Sequence, residues 1–197
     1  LKAKRDKVAG STAHLGTTPT PWSPIGLRIE LGADVRNPGI PAEEDFIKGA
    51  IEVQDEGSQL AALLSNAKPG EQVIDLCAGA GGKTLALAAL MQGKGRLIAT
   101  DHDKRQLAPI YERLSRAGVH NCDVRTPKGP NDTLTDIHAS ADLVLIDAPC
   151  TGTGTWRRNP DAKWRMRPGA LEVRLKDQVA VPARAAALVP LVQAGRV

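Results

Sequence analysis

One stretch of the chain decides the fold: Gln72-Val73-Ile74-Asp75-Leu76-Cys77-Ala78-Gly79-Ala80-Gly81-Gly82-Lys83-Thr84. Its first five residues predict a strand, its glycines a tight turn, and the apolar residues from Thr84 to Met91 a helix. A glycine-rich turn between a strand and a helix lets backbone amides approach a ligand at the helix N-terminus. The stretch therefore predicts both an α/β unit and a binding loop.

The residues that follow continue the alternation of strands and helices. We expect strands at Arg96–Thr100, Cys122–Arg125 and Leu143–Ile146, helices at Lys104–Ala117 and about Ala170–Leu188, and the opening of a fifth strand at Gly195–Val197. Strands that alternate with helices form a parallel sheet covered on both faces. The predicted fold class is α/β, with a doubly wound, mostly parallel sheet that is truncated at the C-terminus.

The N-terminal side differs in composition. Residues 10–45 are rich in Pro, Gly and Thr, which interrupt long helices and central strands. We interpret residues 1–48 as an extension and linker, the tail of a small upstream module, and residues 49–197 as the main domain, incomplete at its C-terminus. Phe46–Val53 predicts a short strand, and Gln54–Ser58 supplies polar caps for a following helix.

Composition bounds the size and the partners of the protein. The chain has 197 residues, of which 42% are hydrophobic, enough for one sizeable core. Its net charge of +4 is unevenly spread, since Trp156–Lys176 holds seven Lys or Arg residues against Asp161 and Glu172. This local excess fits a polyanion such as nucleic acid better than a membrane. For the charge run taken alone, the alternative is a solvated helix face.

The cysteines indicate the compartment. Cys77, Cys122 and Cys150 form an odd set without zinc-type spacing, so we expect no metal site. The sequence shows no signal peptide and no long apolar span, which favours reduced thiols and a cytoplasmic location. The oligomeric state is left open.

The spacing of the glycine-rich loop separates three classes of ligand. A nucleotide triphosphate loop needs glycine five positions before Gly82, where Cys77 stands. A dinucleotide fingerprint needs a third glycine where Thr84 stands, which disfavours a Rossmann-type oxidoreductase. A nucleoside-type ligand with a small anionic end remains, and S-adenosylmethionine meets that description.

An acid at the end of the second strand supports this choice. Asp101 lies 22 residues after Gly79, close to the spacing of roughly 20 expected for a ribose-binding acid. The alternative role for Asp101 is a helix N-cap before Lys104. The cationic sulfonium of the cofactor would suit a nearby carboxylate such as Asp147. For Cys77, a small apolar wall residue is the favoured interpretation.

A second motif follows the last strand: Asp147-Ala148-Pro149-Cys150-Thr151-Gly152-Thr153-Gly154-Thr155-Trp156-Arg157-Arg158-Asn159-Pro160-Asp161-Ala162-Lys163-Trp164. The carboxyl ends of parallel strands open into the ligand crevice, so Asp147 and Cys150 are expected to lie in a site.

These motifs resemble those of the RNA cytosine-5 methyltransferases of the Fmu/Sun type, in particular the bacterial enzymes that act on 16S ribosomal RNA. The matching segments are Val53–Leu60, Asp75–Lys83 and Asp147–Trp164. The resemblance implies a Rossmann-like fold that binds S-adenosylmethionine and a methyl transfer to carbon 5 of cytosine. It also implies cofactor contacts for the loop and two acids, namely Cys77, Ala78, Gly79, Ala80, Gly81, Gly82, Lys83, Asp101 and Asp147.

In the family that the chain resembles, a thiolate attacks carbon 6 of cytosine so that carbon 5 can take the methyl group. A cysteine near Arg157 and Arg158 would be activated by their charge. The resemblance nevertheless implies that Cys150 assists product release, while the nucleophile belongs to a later Thr-Cys motif beyond Val197. A nucleophilic or a purely structural Cys150 are the alternatives. Asp147 is expected to bind the base edge or to balance the sulfonium.

The expected partner is RNA, most readily ribosomal RNA, with transfer RNA as an alternative. Arg157, Arg158, Lys163 and Arg165 are the predicted phosphate contacts. Trp156 is a candidate for base stacking, whereas we expect Trp164 to pack. The acid that the family places after the third strand has no clear match near Arg125. A rival hypothesis is a module that binds S-adenosylmethionine and RNA without turnover.

Overall fold

The computed structural model describes residues 4–30, 38–128, 132, 134–156 and 159–190. Six strands lie within them: β1 Thr17–Pro19, β2 Leu27–Ile29, β3 Gln72–Asp75, β4 Arg96–Thr100, β5 Cys122–Arg125 and β6 Leu143–Leu145. The α-helices are α1 Arg5–Ser11, α2 Glu44–Ile47, α3 Glu56–Leu64, α4 Gly82–Leu90, α5 Lys104–Leu107, α6 Ile110–Ala117 and α7 Ala170–Ala186. Short 3-10 turns occur at Ala13–Leu15, Ile40–Ala42, Thr135–Ile137, Thr153–Thr155 and Pro160–Arg165.

The central sheet confirms the α/β prediction. Its four strands are parallel in the order β5-β4-β3-β6, with Ile74 opposite Ile98 on one side and Val144 on the other. Alternate residues of a strand face opposite sides. Side chains such as Val73 therefore pack against α4, and those such as Ile74 pack in a cluster that contains residues of α7. With α6 packed beside Ala99, helices cover both faces of the sheet.

Two expected elements differ from the structure. The helix expected over Lys104–Ala117 is two helices, α5 and α6, separated at Pro109, whose ring removes a backbone donor. The strand expected at Phe46–Val53 is wrong, because α2 extends to Ile47 and no strand follows before β3. Acidic residues in its first turn and the stacking of Arg116 on Phe46 favour this helix. The strand expected at Gly195–Val197 lies outside the described residues.

The N-terminal extension contains a two-stranded antiparallel sheet, β1 and β2. It is bonded to the first turn of α3, where Glu56 accepts hydrogen bonds from the backbone of Trp22 and Ser23 and pairs with Arg28. The division at residue 48 stays a prediction. These contacts fix the hairpin of the extension to a helix of the main domain.

Candidate functional site

The glycine-rich loop joins β3 to α4 at the carboxyl end of the sheet, as the sequence predicts. Its backbone is tied to both neighbouring strands: Leu76 donates to the carbonyl of Leu145 at 3.0 Å, and Ala78 donates to that of Thr100 at 2.9 Å. The loop therefore starts from a fixed position between β6 and β4.

Gly81 sets the direction in which the chain enters α4. It is the N-cap residue with φ of +87°, a left-handed conformation that side chains disfavour, and a Cβ atom there would overlap Ile110. No side chain caps this end of α4. Its first backbone N–H groups are thus available to an anionic ligand.

Arg113, one turn after Ile110 on α6, was not singled out from the sequence. Its Nη1 donates to the carbonyl of Ala80 at 2.8 Å, and its Nε lies 3.3 Å from Glu52 Oε2. The sequence offered no signal for it beyond the helical spacing of Ile110 and Arg113. Helix α6 thus holds the loop from one side.

Asp101 also braces the loop, at Gly79. Its side chain is buried, and its two oxygens accept hydrogen bonds from the backbone N–H groups of Gly79 at 2.9 Å and Asp103 at 3.0 Å. His102 Nδ1 also lies 2.9 Å from Asp101 Oδ1. The N-cap alternative for Asp101 is wrong, since Asp103 caps α5 through the N–H of Arg105. The structure brings Asp101 to the predicted loop.

A buried carboxyl lies beneath the loop. Asp75 is fully buried, and its Oδ2 accepts a 2.7 Å hydrogen bond from the hydroxyl of Thr84, while no described residue bonds its Oδ1. Burial raises the pKa of Asp75 from 3.8 to about 6, because desolvation outweighs the hydrogen bond from Thr84 and the charge of Lys83. The sequence placed Asp75 at the strand end but gave it no role.

Lys83 joins the two motifs. Its Nζ lies 2.7 Å from Asp147 Oδ2 and 3.3 Å from Ser58 Oγ on α3. The ammonium is largely buried, whereas the Asp147 carboxylate is more than half exposed. The loop and the segment after β6 therefore meet at one charged pair, with Asp147 open to solvent.

The three thiols have different surroundings. Burial raises the pKa of Cys77 and of Cys122 to about 12, which keeps both protonated near neutral pH. This agrees with the interpretation of Cys77 as a wall residue. Cys150 is exposed, and its sulfur accepts a 3.3 Å hydrogen bond from the N–H of Gly152. Of the three, Cys150 is the one whose thiol faces solvent.

The segment after Cys150 is mostly exposed. Lys163 and Arg165 are on the surface, with Arg165 bonded to Asp161. Arg157 and Arg158, also predicted phosphate contacts, lie outside the described residues. The expectation that Trp164 packs is wrong, because its side chain is 80% exposed with Lys163 4.9 Å from the ring centroid. Trp156 is also partly exposed.

Neither a metal site nor a membrane-spanning helix occurs in the described residues. No group of three or more His, Cys, Asp or Glu side chains is placed to hold a metal ion in them. None of their helices is long and apolar enough to cross a bilayer.

The parallel sheet and its glycine-rich loop define a Rossmann-like fold of the S-adenosylmethionine-dependent methyltransferase class. The crystal structure of PH0851 superposes with a TM-score of 0.84 at 32% identity, over 96% of this chain and 42% of that one. The NSun6 structure from Pyrococcus horikoshii with SFG gives a TM-score of 0.67 at 30% identity, over 78% of this chain and 38% of that one.

The family follows from the sequence match. The model of the family described as 16S rRNA methyltransferase RsmB/F matches residues 62–195, and the chain belongs to that family. The probable ribosomal RNA small subunit methyltransferase B of Synechocystis sp. is 34% identical over 99% of this chain. The chain spans 43% of that relative's length.

Proposed function

We propose that the chain is the cofactor-binding part of an enzyme that transfers a methyl group from S-adenosylmethionine to carbon 5 of a cytosine in RNA. The observation that carries this proposal is the 2.7 Å contact between Lys83 and Asp147. It brings the loop that suits the cofactor next to the exposed acid and thiol that suit a base. Family membership favours ribosomal RNA over transfer RNA as the substrate, and the cytoplasm as the place of action.

The residues at the loop fit the cofactor. Helix α4 starts without a side-chain cap, so its N–H groups suit the carboxylate of S-adenosylmethionine. The Asp101 carboxylate is held beside Gly79 and retains lone pairs for the ribose hydroxyls. When bound, the cofactor supplies an electrophilic methyl group. The predicted contacts from Cys77 to Lys83 remain part of this proposal, with Cys77 as an apolar wall.

On the substrate side, the chain's own groups bind and orient the base. Asp147 accepts hydrogen bonds, which suits the amino group of cytosine, and Lys83 Nζ donates, which suits its ring nitrogen or carbonyl. Both groups already face one another, so an entering base would share their polar atoms. A base in this position must be unpaired or flipped from its stack.

The covalent step needs a thiolate that adds to carbon 6, followed by methyl transfer to carbon 5, which would leave the cofactor as the thioether S-adenosylhomocysteine. A base then removes the carbon 5 proton, and the thiolate leaves as the carbon 5–carbon 6 double bond re-forms. In our proposal Cys150 assists this release. The exposure of its sulfur, which accepts a hydrogen bond from the N–H of Gly152, supports this role. Arg157, Arg158, Lys163 and Arg165 would contact phosphates.

The decisive experiment mixes the chain with RNA that contains 5-fluorocytosine and with methyl-labelled S-adenosylmethionine. Fluorine at carbon 5 blocks proton removal and traps the covalent adduct. We expect saturable cofactor binding by this chain, and transfer of label by a chain that also carries the Thr-Cys motif implied by the resemblance. Cofactor and RNA binding without transfer by that longer chain would favour the rival binding module, and preferential binding of a nicotinamide dinucleotide would contradict the methyltransferase proposal.

Because the adduct needs a nucleophile, the role of Cys150 is tested in a chain that carries the Thr-Cys motif implied by the resemblance. The substrate is ordinary cytosine RNA, and Cys150→Ala is compared with Cys122→Ala as the matched control. Release is the assigned step, so Cys150→Ala should accumulate a covalent RNA adduct that denaturing electrophoresis resolves, whereas Cys122→Ala should not. Loss of the 5-fluorocytosine adduct in Cys150→Ala would instead make Cys150 the nucleophile.

A further inference from the structure

The turn between β1 and β2 presents an aromatic side chain to solvent. Trp22 lies between Pro21 and Ser23, and 75% of its surface is exposed. Burying a large aromatic side chain is favourable, so a tryptophan held outward is contributing little to the core. Such a ring is available for contact with a ligand.

The turn that carries Trp22 is fixed. Thr20 and Ser23 are buried, and the hydroxyl of Thr20 donates to the carbonyl of Ser23 at 3.2 Å. The backbone N–H groups of Trp22 and Ser23 both donate to Glu56 Oε1 at 2.9 Å. The Ser23 hydroxyl bonds Gln59 Oε1 at 2.8 Å. Because the backbone is held at these points, little entropy remains to be lost when the ring binds.

Trp22 is attached to the same end of α3 that reaches the candidate site. Glu56 holds the turn, and Ser58, two residues further along the helix, receives Lys83 Nζ at 3.3 Å. Lys83 in turn pairs with Asp147. Glu56 and Ser58 are two residues apart, about half a helical turn, so the two contacts leave opposite faces of the first turn of α3.

The surroundings of Trp22 suit a nucleic acid. Arg28 pairs with Glu56 at 3.0 Å and remains half exposed, which places a guanidinium beside the turn. Every nucleobase has an aromatic face, so any base can stack on a protein ring. The phosphates of the same strand are attracted to cationic side chains. An exposed aromatic ring next to an arginine, on a hairpin bonded to the helix that also contacts Lys83, matches this chemistry.

We propose that Trp22 stacks on an unpaired base of the RNA that flanks the target cytosine. This inference rests on the proposed function and adds a contact from the N-terminal extension to it. The extension would then bind substrate directly rather than serve only as a connection.

The test measures the affinity of the chain for a fluorescein-labelled, single-stranded RNA oligonucleotide at several salt concentrations. Trp22→Ala should weaken binding about tenfold, within the range measured for loss of one stacked base. The slope of log affinity against log salt should not change, since no charge is lost. Trp22→Phe should retain most of the affinity, and Trp22→Leu should not.

Leu64→Ala is the matched control, because Leu64 is 84% exposed at the far end of the same helix. It should leave RNA affinity unchanged. Sinefungin, an analogue of S-adenosylmethionine, should bind all four variants with the same affinity as the parent. If Trp22→Ala disrupts folding, as circular dichroism would show, the difference between the Phe and Leu variants decides the question.

RNA affinity that is equal in the parent, Trp22→Ala and Trp22→Leu would overturn this inference and leave the proposed function intact. A changed salt slope would also overturn it. If the parent binds sinefungin but no RNA, the inference fails with the RNA part of the proposed function. Failure to bind either would overturn both.

Discussion

The glycine-rich loop and the segment after β6 form the two sides of the candidate site, and they are built differently. The loop is bonded to β6, to β4, to Asp101 and to Arg113, and its flanking residues Asp75 and Thr84 are buried. The segment 147–165 contains only short 3-10 turns in its described part, with Asp147 and Cys150 exposed.

The difference follows from the size of what each side must bind. A small cofactor is bound most strongly by groups that are already in place, because no ordering cost remains. A macromolecule needs an open surface that its backbone can reach. Substitutions in the loop should therefore alter both folding and cofactor affinity, whereas those in the exposed segment should alter RNA binding or turnover.

Gly81→Ala should have the largest effect. The added methyl group meets Ile110, and the residue must keep a φ of +87°. Together, overpacking and the left-handed backbone cost about 2 to 5 kcal/mol. We expect that loss in urea unfolding and no measurable sinefungin binding in calorimetry. Gly79→Ala is the matched control, because its φ is +51° but nothing lies within 4 Å of the new methyl group. An equal loss of unfolding free energy in the two variants would contradict the close contact between position 81 and Ile110.

Asp75→Asn should remove a pH dependence of stability. The folded-state pKa of about 6 lies above the ordinary 3.8, so the folded protein holds this proton more tightly than the unfolded chain does. The contribution of Asp75 to the free energy of unfolding is therefore full below pH 4 and is lost as the pH rises through 6. About two pKa units correspond to roughly 3 kcal/mol.

Urea unfolding of the parent and of Asp75→Asn across pH 4 to 7 measures this effect. The free energy of unfolding of Asp75→Asn should rise relative to that of the parent as the pH rises, and the difference between them should level off above pH 7. A constant difference across that range would show that burial does not govern this carboxyl.

Asp101→Asn should weaken cofactor affinity with a smaller effect on folding. An amide can keep one of the two bonds to the N–H groups of Gly79 and Asp103, but it loses the charge that strengthens them. We expect sinefungin affinity to fall on the order of tenfold, equivalent to about 1.4 kcal/mol. Asp103→Asn, at the cap of α5, is the control and should change affinity far less. A larger loss of sinefungin affinity in Asp103→Asn than in Asp101→Asn would assign the ribose contact to Asp103.

Lys163→Ala should have the smallest effect, and it tests the open side. An exposed cation that contacts one phosphate contributes to RNA affinity mainly through counterion release. The slope of log affinity against log salt should therefore fall by slightly less than one, with cofactor affinity and unfolding unchanged. Lys94→Ala, an exposed lysine after α4, is the control. An unchanged slope would remove Lys163 from the RNA surface.

The sequence predicted most of what local pattern controls. The strands are predicted by periodicity, and the loop and Asp101 by spacing. In a parallel sheet the carboxyl ends of the strands lie at one edge, so the loop and Asp101 come close together. Lys83 and Asp147 are 64 residues apart in the chain, and the order of the strands in the sheet brings them into contact. The resemblance predicts that both residues contact the cofactor, but it does not predict that they pair with each other.

The missed features depend on packing between distant segments. Arg113 reaches Ala80 because Ile110 fills the space that Gly81 leaves, and no periodicity reports such a fit. The expectation that Trp164 packs rests on the usual burial of large aromatic side chains, yet Trp164 lies in the short 3-10 turn Pro160–Arg165 and is 80% exposed. The strand expected at Phe46–Val53 is wrong for a similar reason, since Phe46 lies in the short helix α2 and contacts Arg116 of α6.

The contrast among the thiols also gives the experimenter an attachment point. Alkylating reagents react with thiolates, and the raised pKa values of Cys77 and Cys122 hold both as thiols at neutral pH. A stoichiometric maleimide dye should therefore modify Cys150 first, without any engineered residue. A probe at that position lies at the edge of the proposed base pocket, so its emission can report in real time when RNA arrives and when it leaves.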